Sequence, residues 1–110
     1  MSELKEKLAK YKADALSQLK KAGETDIDDD LITKLANNMK LMIDNKDALS
    51  VAGSDPSEME TVRKNFVVKK LGFDDRDAAT AAIQKVAERM KDSRMKNRAA
   101  FYYLVQKALT

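Results

Sequence analysis

The chain has 110 residues, of which 21 are Lys or Arg and 18 are Asp or Glu, and it contains neither Cys nor His. Without these two residue types it lacks thiol and imidazole chemistry and the usual ligands of zinc, haem and iron–sulfur clusters. A hydrophobic fraction of 44% is typical of a folded chain, and the length suits a single domain over residues 1–110. No apolar run approaches the roughly 20 residues of a membrane span. We expect a cytoplasmic protein that needs no cofactor and does not enter a membrane.

The first half of the chain predicts two helices separated by a glycine turn. Apolar residues at steps of three and four predict a helix from about Glu3 to Ala22, which Gly23 ends. The acidic run at 26–30 is expected to cap a second helix over roughly Asp29–Ile43, because negative charge complements a helix start. The residues of this helix predicted to face inward are Leu31, Leu35, Met39, Met42 and Ile43.

A loop and a third helix follow. Residues 44–54 break the helical pattern, and their apolar content predicts a tucked loop rather than a flexible linker. Asp55, Pro56 and Glu58 predict the start of the third helix, because Asp caps, Pro fits the first position and Glu completes a capping box. Gly72 is expected to end it.

Two more helices complete the predicted fold. Asp74 or Asp75 is expected to open a fourth helix to about Lys91, and Ser93 to cap a fifth that reaches the C-terminus. The fifth helix is apolar on nearly all sides over residues 101–105, which is typical of a helix at the centre of a bundle. We therefore predict an all-α fold, a compact bundle of about five helices with the hydrophobic C-terminal helix near the centre.

Positive charge is concentrated in the second half of the chain, where residues 56–110 carry a net +5 against −2 for residues 1–55. The densest stretch is Arg89–Arg98, with five basic residues and one acid, across the predicted turn between the last two helices. This turn lies near a helix start that could bind an anion. A solvated surface is the alternative, because cations near helix ends also complement the helix dipole. The candidate contacts to an anion or nucleic acid are Lys69, Lys70, Arg89, Arg94, Lys96 and Arg98.

The carboxylates do not form a recognisable site. Asp26, Asp28 and Asp30 are spaced like the start of a calcium loop. The positions that need Gly and Glu in such a loop hold Leu31 and Asn37, however, so a helix cap is the better interpretation. There is no nucleophile elbow and no glycine-rich phosphate loop. We therefore assign no catalytic, metal or cofactor-binding residue, and an enzyme that uses carboxylates and Lys stays an alternative.

Four polar residues outside these patterns are of interest, namely Asn45, Asp47, Asn65 and Asn97. Asn45 and Asp47 are suited to hydrogen bonds with the backbone of the loop. Asn65 is an unfavourable choice in the middle of a helix unless it has a partner. It either ties the 44–54 loop to the third helix or faces solvent.

Two blocks of residues resemble a known family. One block is Asn45-Lys46-Asp47-Ala48, Ser54-Asp55 with Glu58, Asn65-Phe66 and Lys69-Lys70-Leu71-Gly72; the other is Met90, Ser93, Arg94, Lys96-Asn97-Arg98-Ala99 and Phe101-Tyr102-Tyr103-Leu104. Together they resemble a family of short bacterial proteins classed as a domain of unknown function. The resemblance covers roughly Leu31 to the end, and loosely the first helix, and it implies a small helical domain. It implies no activity, cofactor or binding residue.

The leading functional hypothesis is a non-enzymatic interaction protein, because a well-specified helical core occurs beside an uneven charge distribution. Its partner would be another protein or a second copy of itself. Anion or nucleic-acid binding through a basic helix-turn-helix surface is the sharper alternative.

Overall fold

The computed structural model describes residues 2–43, 45, 49–51, 56–72, 74–91 and 96–109, most of which are helical. The all-α prediction is confirmed. Within these residues, no helix has the length and apolarity that crossing a membrane requires. The elements in chain order are α1 (Ser2–Lys21), α2 (Asp29–Asn37), a 3₁₀ turn (Lys40–Met42), β1 (Ser50–Val51), α3 (Pro56–Val62), a π-helix that continues α3 (Arg63–Val68), α4 (Arg76–Arg89), β2 (Lys96–Asn97) and α5 (Arg98–Leu109).

The last helix, α5, lies at the centre of the bundle. Every residue from Ala99 to Val105 is buried, and α5 contacts α1, α2 and α4. A helix with neighbours on several sides must be apolar around most of its circumference. The prediction made from residues 101–105 is therefore confirmed.

The start of α5 differs from the prediction. The expected cap, Ser93, lies outside the described residues, and the helix begins only at Arg98. Asn97 caps it instead, because its side-chain Oδ1 accepts a hydrogen bond from the amide of Ala100 at 3.1 Å. Residues 96–97 are extended since they pair antiparallel with β1, with Asn97 opposite Ser50. A two-residue strand has too little pattern to be visible in the sequence.

The prediction for α2 is right at its start and wrong at its end. The Asp28 side chain caps it by accepting a hydrogen bond from the Leu31 amide at 3.1 Å. The α-helix ends at Asn37 rather than Ile43, and a 3₁₀ turn follows. This tighter turn rotates the later side chains, so Met42 is 37% exposed where an inward position was expected.

The other predicted helix ends agree with the structure where it describes them. Gly23 and Gly72 have φ angles of +90° and +67°, the left-handed conformation that glycine adopts most easily. The Asp75 side chain caps α4 by accepting from the Ala78 amide at 3.1 Å. Asp55, the predicted cap of α3, lies outside the described residues.

Candidate binding groove

An open groove with a volume of about 680 Å³ lies where α2, the π-helix and α5 meet. Sites for small ligands commonly have volumes of roughly 300–1,000 Å³, so this one is large enough to bind part of a partner. The 3₁₀ turn after α2 and the turn after the π-helix complete its walls. We refer to it as the α2–α5 groove.

Two regular helical stripes build the groove. Positions three and four apart lie on one face of a helix, so each stripe presents one continuous surface. On α5 the stripe is Arg98, Tyr102 and Gln106. On α2 and its 3₁₀ turn it is Leu31, Lys34, Leu35, Asn38, Met39 and Met42.

Apolar side chains form the base of the groove. Leu35, Met39 and Phe66 are each 4% exposed, and Tyr102 is 9% exposed. The rings of Phe66 and Tyr102 stack with their centroids 4.1 Å apart and their planes at 12°. This stack joins the π-helix to α5 and gives the groove a rigid aromatic base.

The charge of the groove has one sign. Lys34, Lys70 and Arg98 contribute cationic groups, and none of the described residues that line it is Asp or Glu. Lys34 and Lys70 are exposed. A concave surface with charge of a single sign attracts a ligand of the opposite sign. The groove is therefore suited to a partner that combines apolar groups with negative charge.

The side chain of Arg98 is held in a fixed position. Its Nη1 donates to the Tyr102 hydroxyl at 2.9 Å, and its Nη2 donates to the Ser50 carbonyl at 3.0 Å and to Glu58 Oε1 at 2.6 Å. Burial alone would lower the pKa of Arg98, but contact with Tyr102 and with the Glu58 carboxylate outweighs it and raises the pKa. The guanidinium is thus charged and joins β1, α3 and α5 beside the groove.

A buried polar cluster fixes α1 against the start of α5. Asn97 is 2% exposed, and its Nδ2 donates to the Tyr11 carbonyl and to Asp14 Oδ2, both at 3.1 Å. The Tyr11 hydroxyl donates to the Leu49 carbonyl at 2.8 Å and accepts from the Ala99 amide at 3.1 Å. Since Arg98 lies between Asn97 and Ala99, this cluster also determines where Arg98 lies.

The Tyr11 phenol gives a prediction about alkaline pH. Burial raises the pKa of Tyr11 to about 12, whereas an unfolded tyrosine ionises near pH 10. The protonated phenol therefore stabilises the fold fully below about pH 10, and this contribution is lost as the pH rises toward 12. Tyr11→Phe should lower the free energy of unfolding by about 1–3 kcal/mol at neutral pH. The difference from the wild type should shrink above about pH 10.

Denaturant unfolding of both proteins at several pH values measures this difference directly. Subtracting the two curves removes the contributions of lysines and of the other tyrosines, which the two proteins share. A difference that stays constant up to pH 12 would contradict the assignment.

Comparison with known proteins identifies the family. The family described as "Protein of unknown function (DUF2853)" matches residues 5–110. The chain belongs to the DUF2853 family. The match includes α1 from residue 5 onward, the helix that the resemblance covered loosely. No curated protein matches the chain.

The structure of this DUF2853 protein separates the six basic residues singled out in the sequence. Lys70 and Arg98 both line the α2–α5 groove, while Lys69 is exposed beside it. Arg89 lies at the end of α4, where its Nη2 donates to the Ala22 carbonyl and to Glu24 Oε1, both at 3.3 Å. Lys96 is only 7% exposed in β2. Arg94 lies outside the described residues.

The described members of this set do not form one exposed basic surface, and binding of an anion or nucleic acid stays a prediction. A phosphate backbone is bound by several solvent-facing cations along one face. Among the described candidates, Lys96 is buried and both Arg89 and Arg98 are bonded to glutamates. Of the five candidates in the described part of the chain, Lys69 and Lys70 are the two that are both exposed and adjacent in sequence.

Sequence reasoning missed the α2 wall of the groove. A signal for this wall was present in the sequence. The predicted second helix has more apolar residues than one inward-facing stripe needs, because its last three residues are Leu41, Met42 and Ile43. Leu41 is 96% exposed, the most exposed large apolar side chain among the described residues. Exposed apolar residues beside an apolar groove are typical of interaction sites.

Proposed function

We propose that this DUF2853 protein is a non-enzymatic interaction protein whose α2–α5 groove binds the apolar face of an acidic amphipathic helix in a partner protein. The shape of the groove supports this occupant. Along α2 its wall from Leu31 to Asn37 is about 9 Å long at 1.5 Å per residue, and the 3₁₀ turn extends the wall to Met42, so it can contact about two turns of a helix. An amphipathic helix in an apolar groove is a recurrent mode of peptide recognition.

The charges on the groove indicate which helix it takes. Lys34 and Lys70, the exposed cations of the lining, would face acidic side chains beside the apolar stripe of the partner, and opposite charges speed association and fix the register. Two copies of the chain meeting through this groove would bring these cations together, so self-association is disfavoured. Met39 and Met42 add flexible apolar contact, which adapts to different side chains.

The single observation that carries this proposal is an apolar groove whose described lining has two exposed lysines, Lys34 and Lys70, an Arg98 that is paired with Glu58, and no carboxylate. The lining offers amides, cations and apolar groups, which serve binding and not proton transfer between paired acids. A cytoplasmic location and a bacterial origin stay predictions from the sequence.

A peptide titration tests the proposal. The probe is a designed helical peptide of about four turns with Leu at i, i+3, i+4 and i+7 and Glu elsewhere; the control peptide has Lys in place of Glu. By fluorescence anisotropy we expect the acidic peptide to bind at least about tenfold more tightly than the basic one. Its affinity should fall as salt is added.

Two neighbouring lysines provide a matched pair of variants. Lys70→Glu should weaken binding of the acidic peptide by about three- to tenfold, because this residue lines the groove. Lys69→Glu makes the same charge change beside the groove and should have a smaller effect. Equal binding of both peptides, or no binding, contradicts the proposal. Tighter binding of an RNA or DNA oligomer would favour the nucleic-acid alternative instead.

A further inference from the structure

The π-helix that continues α3 is an unusual feature of one groove wall. The Lys69 amide donates to the Lys64 carbonyl at 3.3 Å, and the Leu71 amide donates to the Phe66 carbonyl at 3.0 Å. Each of these bonds joins residues five positions apart, whereas the backbone bonds of an α-helix join residues four positions apart. Such turns are rare in proteins and frequent at functional sites.

The wide turn changes the hydrogen bonding of one backbone carbonyl group, that of Asn65. In an α-helix the Asn65 carbonyl would accept a hydrogen bond from the Lys69 amide, four residues later. In a continuous π-helix it would accept one from the Lys70 amide, five residues later. Here the Lys69 amide donates to Lys64, and the Lys70 amide donates to Phe66 at 2.9 Å. Asn65 is exposed and lines the α2–α5 groove. Both amides that would ordinarily bond to the Asn65 carbonyl therefore donate elsewhere, and this oxygen belongs to a residue of the groove wall.

We propose that the Asn65 carbonyl accepts a hydrogen bond from an uncharged donor on the docked partner helix, such as the amide of Gln or Asn or the hydroxyl of Ser or Thr. This inference rests on the proposed function. A cationic donor is disfavoured because the exposed Lys34 and Lys70 line the same groove. The partner is then an acidic amphipathic helix with one neutral donor at the edge of its apolar face.

The π-helix creates this specificity, since the extra residue in the turn diverts the Lys69 and Lys70 amides from the Asn65 carbonyl. Removing one residue restores the α-helical spacing, and the carbonyl then accepts an intrahelical bond. Lys64 is suited to this deletion because it is exposed and lies outside the groove lining. Lys64→Ala is the matched control, because it removes the same charge and keeps the residue count.

The experiment uses the acidic peptide with Gln placed in turn at each position beside its apolar face, and the same peptides with Ala there. On the full-length wild type, one Gln peptide should bind about three- to tenfold more tightly than its Ala counterpart, the net value of one hydrogen bond. Lys64→Ala should keep this preference. Deletion of Lys64 should abolish it while the Ala peptide still binds.

A second measurement does not depend on whether the deletion variant folds. In the wild type, the carbonyl ¹³C resonance of Asn65 should shift with the preferred Gln peptide and not with its Ala counterpart. If every Gln peptide binds like its Ala counterpart and the resonance does not move, this inference is overturned while the proposed function stands. If no acidic peptide binds, the proposed function fails and the inference fails with it.

Discussion

Replacing Asn97 with alanine is expected to lower the free energy of unfolding by about 3 kcal/mol, which corresponds to a melting temperature about 10–20 °C lower. The side chain caps α5 through the Ala100 amide, a bond worth about 0.5–2 kcal/mol. It also donates to the Tyr11 carbonyl and to Asp14. Because Asn97 is 2% exposed, water cannot replace these bonds once the side chain is gone.

Two further variants separate the cap from the tether to α1. Asn97→Asp keeps a side-chain oxygen for the Ala100 amide but loses both donated bonds and places a carboxylate beside Asp14. It should be at least as destabilising as alanine at neutral pH. Asn37→Ala changes the same residue type at an exposed position and should stay within about 0.5 kcal/mol of the wild type. Denaturant unfolding of the three variants measures these differences, and a stable Asn97→Ala protein would contradict the role given to the cluster.

Replacing Arg98 with methionine is expected to cost about 2–3 kcal/mol of stability. The side chain of Arg98 is 11% exposed and that of Glu58 is 26% exposed, so the pair is largely removed from water. Methionine fills part of the space but leaves the Glu58 carboxylate and the Ser50 carbonyl without this donor. The loss reflects a buried charge without its partner more than the strength of the ion pair itself.

Removing both charges tests this explanation. The double variant Arg98→Met with Glu58→Met should recover more than half of the loss, because no buried carboxylate is then left unpaired. Lys91→Met serves as the control at an exposed pair, where Lys91 and Glu88 are 69% and 78% exposed and 3.9 Å apart. It should change stability by less than about 1 kcal/mol. A double variant as unstable as Arg98→Met alone would show that the hydrogen bonds, and not the charge pair, carry the effect.

Local pattern was sufficient for most of the helices. The Gly23 turn, the Asp28 and Asp75 caps and the burial of α5 were all predictable from neighbouring residues, because helix caps and apolar periodicity act within a few residues. The end of α2 and the π-helix were not predictable in this way. Nothing in the local spacing distinguishes a wide or tight turn from an α-helical one.

The candidate site depended on contacts that the sequence does not show. Asn97 was of interest as a polar residue, but its bond to Tyr11 joins residues 86 positions apart. Asn65 was expected to meet the 44–54 loop or solvent, and it is exposed in the groove wall beside Phe66. Among the described loop residues, Leu49 instead meets Tyr11 through its carbonyl.

By itself, the sequence determined an all-helical chain with a central C-terminal helix and a basic second half. Only the tertiary structure decided which basic side chains are accessible. Packing buries Lys96 and leaves Lys70 at the groove. It also forms ion pairs between Arg98 and Glu58 and between Arg89 and Glu24. The physical reason is that charge count is a property of the chain, whereas exposure and pairing depend on which distant segments the fold brings together.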